Sequence, residues 1–210
     1  MKILYEDNHL LALDKPPGML TQPSGTDQES LEALAKAYLK ERDHKPGQVF
    51  LHALHRLDRA AEGIVLFAKS SKALERGMEA IREGKMEKVY LAWVAGDLGQ
   101  EGVLEDYLIH REHRGEVVTP DTSGAKRARL RYLRKGPGLY EIFLETGRYH
   151  QIRVQFASHG APIIGDTKYG GPPCDHPGIF LAHIRCTLPH PTQKTALTVE
   201  APRDHNAWHA

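Results

Sequence analysis

The chain has 210 residues, 40% of them hydrophobic and 26% charged, a balance that fits a globular protein and excludes a disordered or fibrous one. Lys and Arg total 28 against 27 acidic residues, so the formal net charge of +1 neither demands nor excludes a polyanionic partner; placement of charge matters more than its sum. No apolar run is long enough to span a bilayer, and Glu6 and Asp7 come too early for a secretory signal. The two cysteines, Cys174 and Cys186, cannot build a disulfide framework. A cytoplasmic monomer with reduced thiols is the expectation.

Residues Lys2 to Tyr5 and His9 to Leu13 read as short strands joined by the polar turn Glu6-Asp7-Asn8. In Asp14-Lys15-Pro16-Pro17-Gly18 two prolines remove consecutive backbone donors and the glycine admits a positive φ, which predicts a stiff loop. After a second loop from Thr21 to Asp27, Ser30 to Arg42 carries Leu31, Leu34, Ala35, Tyr38 and Leu39 at helical spacing. Ile64 to Ala68 is a continuous apolar strand. Ser71 to Arg82 reads as a second helix through Leu74, Met78 and Ile81, stopped by Gly84.

Val89 to Ala95 returns to strand. Gly102 to Leu108, Glu116 to Thr119 and Lys126 to Leu133 read as antiparallel strands divided by Gly- and Pro-containing turns, and Leu139 to Glu145 adds another. Tyr149 to Ser158 reads as a short helix with Ile152 and Phe156 one turn apart; Phe180 to Leu188 and Thr195 to Val199 close as strands. The polar tail from Pro202 to Ala210 is expected to be loosely held. Strands dominate without regular alternation with helices, which predicts an α+β fold over residues 1–210 as one domain: a mainly antiparallel or mixed sheet flanked by a few helices.

Three segments carry chemistry. His55-Arg56-Leu57-Asp58-Arg59 sets one carboxylate between two guanidiniums, which favour its ionised form, just before a buried strand. A solvated Arg-Asp-Arg surface loop is the alternative. Thr146-Gly147-Arg148-Tyr149-His150-Gln151-Ile152-Arg153 leaves a strand through a glycine and enters a helix with two arginines, at an end that welcomes an anion. A capped helix with a solvated basic face explains that segment equally. In Lys88-Val89-Tyr90-Leu91-Ala92-Trp93-Val94, Tyr90 taken singly is a core tyrosine.

In chain order, Lys15-Pro16-Pro17-Gly18, the Asp58 segment, Lys88-Val89-Tyr90-Leu91-Ala92, the Arg153 segment, Ile163-Ile164-Gly165-Asp166 and Leu181-Ala182-His183 together resemble one family. It is the large, RluA-type family of RNA pseudouridine synthases, which modifies ribosomal and transfer RNA uridines. The match runs from about Ile3 to Val199. The resemblance implies that Asp58 is the catalytic aspartate, Tyr90 the aromatic residue packed on the target uracil, and Arg153 the partner holding the carboxylate. It further implies that Arg56 enters the helix in place of the extruded nucleotide or grips its phosphate, and that Leu181 lines the base pocket. Arg59 and Arg148 join the expected RNA contacts. A bent sheet with a central cleft across it is the implied architecture.

The implied reaction breaks the C1′–N1 bond of a flipped uridine, turns the uracil and joins C5 to C1′. No redox change occurs, so no cofactor is expected, and the partner is rRNA or tRNA. An ionised Asp58 could attack C6 of the base or C1′ of the sugar, or remove a sugar proton toward a glycal. Unpairing the base costs a few kcal/mol, which an aromatic face and an inserted arginine can offset.

Two departures stand out. The family's usual Thr-Ser-Gly element is Ala61-Glu62-Gly63 preceded by Ala60 here, which puts the support of the loop in question, and Glu62 is expected to pair with Arg59 or another basic neighbour. By the same resemblance the chain is expected to begin at the first catalytic-domain strand, without the small N-terminal RNA-binding domain that many relatives carry. RNA contact is then expected from Arg127, Arg129 and Arg131, which alternation places on one strand face with Ala128, Leu130 and Tyr132 on the other.

The same residues admit other readings. Cys174, His176, His183 and Cys186 are the only plausible metal-ligating cluster, but their spacing fits no common site and no metal is expected. His52, His55, His110 and His113 are expected to be surface or satisfied structural residues. Asp58 with Glu62 as a glycosidase pair would need one carboxyl of raised pKa, which the surrounding arginines oppose. A non-catalytic RNA-binding module is the remaining alternative.

Overall fold

The computed structural model describes residues 1–25, 27–201 and 203. In chain order the elements are β1 (Lys2–Glu6), β2 (Leu10–Lys15), α1 (Leu31–Arg42), β3 (His52–Ala53), β4 (Glu62–Ala68), α2 (Ser71–Arg82) and β5 (Glu87–Trp93). There follow β6 (Glu101–Arg111), β7 (Arg114–Val118), β8 (Lys126–Gly136), β9 (Leu139–Leu144), α3 (Gln151–Ser158), a 3-10 turn (Thr167–Tyr169), β10 (Leu181–Pro189) and β11 (Ala196–Glu200). Three α-helices among the described residues against eleven strands make this an α+β fold. The chain divides into two compact units, Met1–Glu87 with His183–Arg203, and Lys88–Ala182.

In the first unit the strand order is β1-β2-β4-β10, with β3 on β4 and β11 on β10. β2 pairs antiparallel with both β1 and β4, from Leu10 opposite Ala68 to Lys15 opposite Gly63. The runs Leu10-Leu11-Ala12-Leu13 and Ile64-Val65-Leu66-Phe67-Ala68 are fully buried, as continuous apolar strands covered on both faces must be. One core gathers Leu10, Ile64, Leu66, Cys186, Leu188 and Val199. Ser30 and Ser70 cap α1 and α2 by accepting the backbone N–H of Ala33 and Ala73.

Gly63 permits the approach of β4 to β10. Its φ is +110°, and a Cβ built there would lie 2.3 Å from the backbone oxygen and 2.6 Å from the nitrogen of His183. Neither is a flexible tip that can swing aside. Gly63→Ala is therefore expected to destabilise the protein by at least about 3 kcal/mol. The urea unfolding midpoint reads this; an unchanged midpoint would mean that the two backbones separate without cost.

The second unit orders its strands β5-β9-β8-β6-β7, all pairings antiparallel. Beyond β5, Val94 bridges Ile163, and Ile164 N–H donates to the Trp93 carbonyl at 2.9 Å. Phe180 N–H donates in turn to Ile164, at 3.0 Å. These bonds tie the segment after α3 to the end of β5. Buried Val154 on α3 packs with Leu108, Ala128 and Tyr169.

Several expectations are corrected. β3 was not foreseen, because two residues carry no periodicity. The β6–β7 turn uses neither Gly nor Pro: Glu112 and His113 adopt φ of +44° and +61°, the two-residue turn that matches strand twist. The third helix begins at Gln151 rather than Tyr149, since His150 sits in the left-handed region. Arg203 is not loose, as its ion pairs below show; the remaining tail residues, Pro202 and 204–210, lie outside the described residues.

Candidate functional site

Asp58 lies half-buried in an irregular loop between β3 and β4, with Leu57 buried and Arg56 and Arg59 exposed. The proline-rich loop is stitched to it. Gly18, at φ +82°, donates its N–H to the Arg59 carbonyl at 2.8 Å, and Arg59 Nε returns a bond to the Gly18 carbonyl at 2.9 Å. Thr21 Oγ1 donates to the Leu57 carbonyl and accepts its N–H, both at 3.1 Å. On the other side, His55 Nε2 accepts the Leu66 N–H at 3.2 Å, a structural role of the kind expected for it.

Lys15 is the deepest part of this arrangement. It is completely buried, and its Nζ donates to the carbonyls of Pro16, Met19 and Arg59 at 2.9, 2.8 and 3.2 Å. Burial pushes its pKa down to about 8, while the nearby carboxylates of Asp58 and Glu62 pull the other way. The ammonium thus supplies positive charge beneath Asp58 and holds three carbonyls in place. Lys15→Met keeps the stem but takes the ammonium from all three carbonyls, of which that of Arg59 keeps the Gly18 N–H, with an expected loss of about 1–3 kcal/mol. Thermal unfolding checks it; a variant as stable as the parent would show that water replaces the ammonium.

Glu62 pairs with neither Arg59 nor a loop neighbour. Arg203 takes it, Nε to Oε1 at 3.4 Å, and forks onto Asp14, with Nη1 to Oδ2 at 2.9 Å and Nη2 to Oδ1. The loop at Asp58 is thus held by bonds from Lys15, Gly18 and Thr21, while Arg203 ties Glu62 at the start of β4 to Asp14 on β2.

Arg153, Tyr90 and Leu181 belong to the second unit. Tyr90 is buried on β5 opposite Ile142, between the buried residues Val89 and Leu91. Leu181 is buried at the start of β10. Arg153 is 7% exposed and forks onto Asp166, itself 1% exposed: Nε to Oδ2 at 2.7 Å and Nη2 to Oδ1 at 2.8 Å. Nη1 lies 3.0 Å from His150 Nε2, and the guanidinium carbon stands 5.0 Å from the centre of the Tyr169 ring. The helix is buried through Gln151–Phe156, so the solvated basic face foreseen as its alternative is not what forms.

The entry to α3 is fixed by Gln151, whose Oε1 accepts from Thr146 Oγ1 at 2.8 Å and from Arg148 N–H at 3.0 Å. Its Nε2 donates to the Arg129 carbonyl at 3.2 Å. Arg148 is exposed and bonds the Arg127 carbonyl through Nε at 3.0 Å.

On β8 the alternation places Ala128, Leu130 and Tyr132 inside. The arginine face, however, is not a bare cationic ridge. Arg127 forks onto Glu105 at 2.9 and 2.8 Å, Arg129 contacts Glu105 at 3.1 Å and also Glu145, and Arg131 lies 3.6 Å from Glu145. Three guanidiniums facing two carboxylates leave one net positive charge, and a phosphate arriving there would compete with existing pairs.

Among the described residues, no group of three His, Cys, Asp or Glu is arranged to hold a metal. His183 Nδ1 bonds the Ile64 carbonyl at 2.7 Å, and Cys186 is buried in the core of the first unit. Sequence reasoning missed Lys15 as a charge, Arg203, and His150 and Asp166 as neighbours of Arg153. His150 and Asp166 were within quoted motifs, but only the fold shows what they touch.

The profile of the family described as RNA pseudouridylate synthase matches residues 9–158. Over 173 residues the chain is 32% identical to "Ribosomal large subunit pseudouridine synthase D" of Nitrosomonas europaea, spanning 81% of this chain and 50% of that one. Over 193 residues it is 35% identical to "tRNA pseudouridine synthase C" of Vibrio parahaemolyticus, spanning 81% of this chain and 74% of that one. The solved structure of "Human RNA Pseudouridylate Synthase Domain Containing 4" superposes with a TM-score of 0.80 at 20% identity, covering 99% of this chain and 90% of that one, and thus shares the fold. The chain spans between about half and three quarters of the length of these two curated relatives.

Proposed function

Because the chain belongs to the RNA pseudouridylate synthase family, we propose that it isomerises uridine to pseudouridine in RNA. The observation that carries this is the family match itself, which runs across the Asp58, Tyr90 and Arg153 segments in one stretch, 9–158. Ribosomal and transfer RNA are the substrate classes named for its relatives, and either is the proposed class here.

In the proposed reaction a uridine leaves its stack and enters against Tyr90 and Leu181, while Arg56 takes its place in the helix or holds its phosphate. Asp58, as an anion, attacks the base or the sugar or takes a sugar proton. The N1–C1′ bond breaks, the uracil turns, C5 joins C1′, and the C5 proton is lost as N1 gains one. Arg153 holds the Asp58 carboxylate charged, since burial alone would raise its pKa. Asp166 and His150 set Arg153, and Lys15 adds charge from the loop side. Tyr90 serves by stacking; its phenol, with a reference pKa of about 10, is a poor base at neutral pH.

Mapping of pseudouridine in ribosomal and transfer RNA transcripts incubated with the purified chain tests the reading. Modification at discrete uridines is expected, and transcripts that stay unmodified while binding the chain would favour a non-catalytic RNA-binding module.

A further inference from the structure

His150 opens α3 with its backbone in the left-handed region, at φ +53°, without a side-chain capping bond to the helix. That conformation costs a non-glycine residue of order 1–2 kcal/mol and persists where the surroundings hold it. Here the ring is held. Nδ1 lies 2.8 Å from the Tyr169 hydroxyl, Nε2 lies 3.0 Å from Arg153 Nη1, and the Tyr149 ring stacks on the imidazole at 3.9 Å between centroids.

Counting hydrogens leaves one arrangement. A guanidinium N–H only donates, so Nε2 must offer its lone pair. The neutral ring then carries its hydrogen on Nδ1 and donates to the Tyr169 oxygen, which also accepts the backbone N–H of Gly115 at 2.8 Å. A protonated ring, or the other tautomer, would set N–H against N–H across the 3.0 Å gap to Arg153.

We propose that His150 is a positioning residue for Arg153: its neutral Nε2 fixes the Nη1 edge of the guanidinium while Asp166 clamps the Nε and Nη2 edge. The direction of the group is thereby set before RNA binds. This rests on the reading of Arg153 as the partner of the Asp58 carboxylate. The groups around the ring favour neutrality. Burial, then Arg153 and Lys168, hold its pKa down at about 3; Asp166 opposes them and His110 assists, and burial pushes the Tyr169 phenol up, away from ionisation.

Three variants separate positioning from bulk structure. His150→Gln keeps an acceptor at the reach of Nε2, His150→Asn keeps one only at the reach of Nδ1 while tolerating the left-handed backbone, and His150→Phe keeps the stack alone. For Asn and Phe, kcat is expected to fall about tenfold or more with RNA affinity unchanged, the loss of one charge-assisted bond. Gln should recover most of it. Equal kcat for Gln and Asn, or a loss confined to RNA affinity, overturns the proposal, and the Gln–Asn pair decides if the Phe variant does not fold.

Imidazole nitrogen NMR on the free chain is independent of activity. An Nδ1–H tautomer, still uncharged at about pH 5, is expected, whereas an Nε2–H ring or one titrating near the reference of about 6.5 overturns the proposal. If the tautomer holds while Arg153→Lys keeps full kcat, the failure lies with the reading of Arg153 and not with the placement of His150.

Discussion

Asp58→Asn is expected to reduce pseudouridine formation by at least about 10⁴-fold while leaving the fold and RNA affinity intact, the scale on which enzymes lose rate when a nucleophile is removed. Asn fills the same space but cannot carry the negative charge that every proposed route requires. The bonds that Lys15, Gly18 and Thr21 make to this loop run to backbone groups, and the substitution leaves them in place. It should also lower the pKa of Lys15 further, because the Asp58 charge is one of the two that oppose its depression. Nucleoside analysis of digested RNA, with binding measured in parallel, separates the outcomes. A variant that binds and modifies as the parent does would show that the reaction does not depend on the Asp58 carboxylate.

Arg153→Met should fail twice. With the guanidinium gone, the Asp166 carboxylate, 1% exposed, loses the fork that neutralises it, and breaking a buried ion pair in this way costs about 3–5 kcal/mol. Activity should fall as well, by about 10²-fold or more, because on the proposed reading the Arg153 charge serves the reacting carboxylate. Pairing the substitution with Asp166→Asn distinguishes the two effects. The double variant should regain most of the stability, since no uncompensated charge remains buried, but none of the activity. Chemical unfolding and turnover on the same preparations check this; activity restored along with stability would reduce Arg153 to a structural ion pair.

Much of the fold was legible because its signals are local. Ser30 and Ser70 cap the helices that spacing predicted, and the apolar run Ile64 to Ala68 is the buried strand it was read as. What escaped depends on register. Glu105 lies directly opposite Arg129 on the neighbouring strand, so the arginine face of β8 is largely offset by carboxylates on other elements, Glu105 more than twenty positions away in sequence, and no periodicity reveals that. Arg203 reaching Asp14 is the same case over a longer separation.

The site divides in a similar way. Asp58, Tyr90 and Arg153 were named by the resemblance of their motifs, each a short word in the chain. Lys15 stood in one of those words but was read for its prolines and glycine, since nothing local shows that its ammonium ends inside the protein. His150 shows why the helix start was misplaced: its ring is engaged by Tyr169 and Arg153, and that tertiary hold overrides the helical pattern at its residue.

Tritium at C5 of uridine must leave when C5 becomes bonded to C1′, so its release in a single turnover reports the proposed bond exchange itself. With RNA carrying that label and the enzyme in excess, the parent chain is expected to release tritium in step with pseudouridine formed, and Asp58→Asn to release none while still binding the RNA. Release by Asp58→Asn at the parent's rate would contradict the assignment of the reaction to that carboxylate.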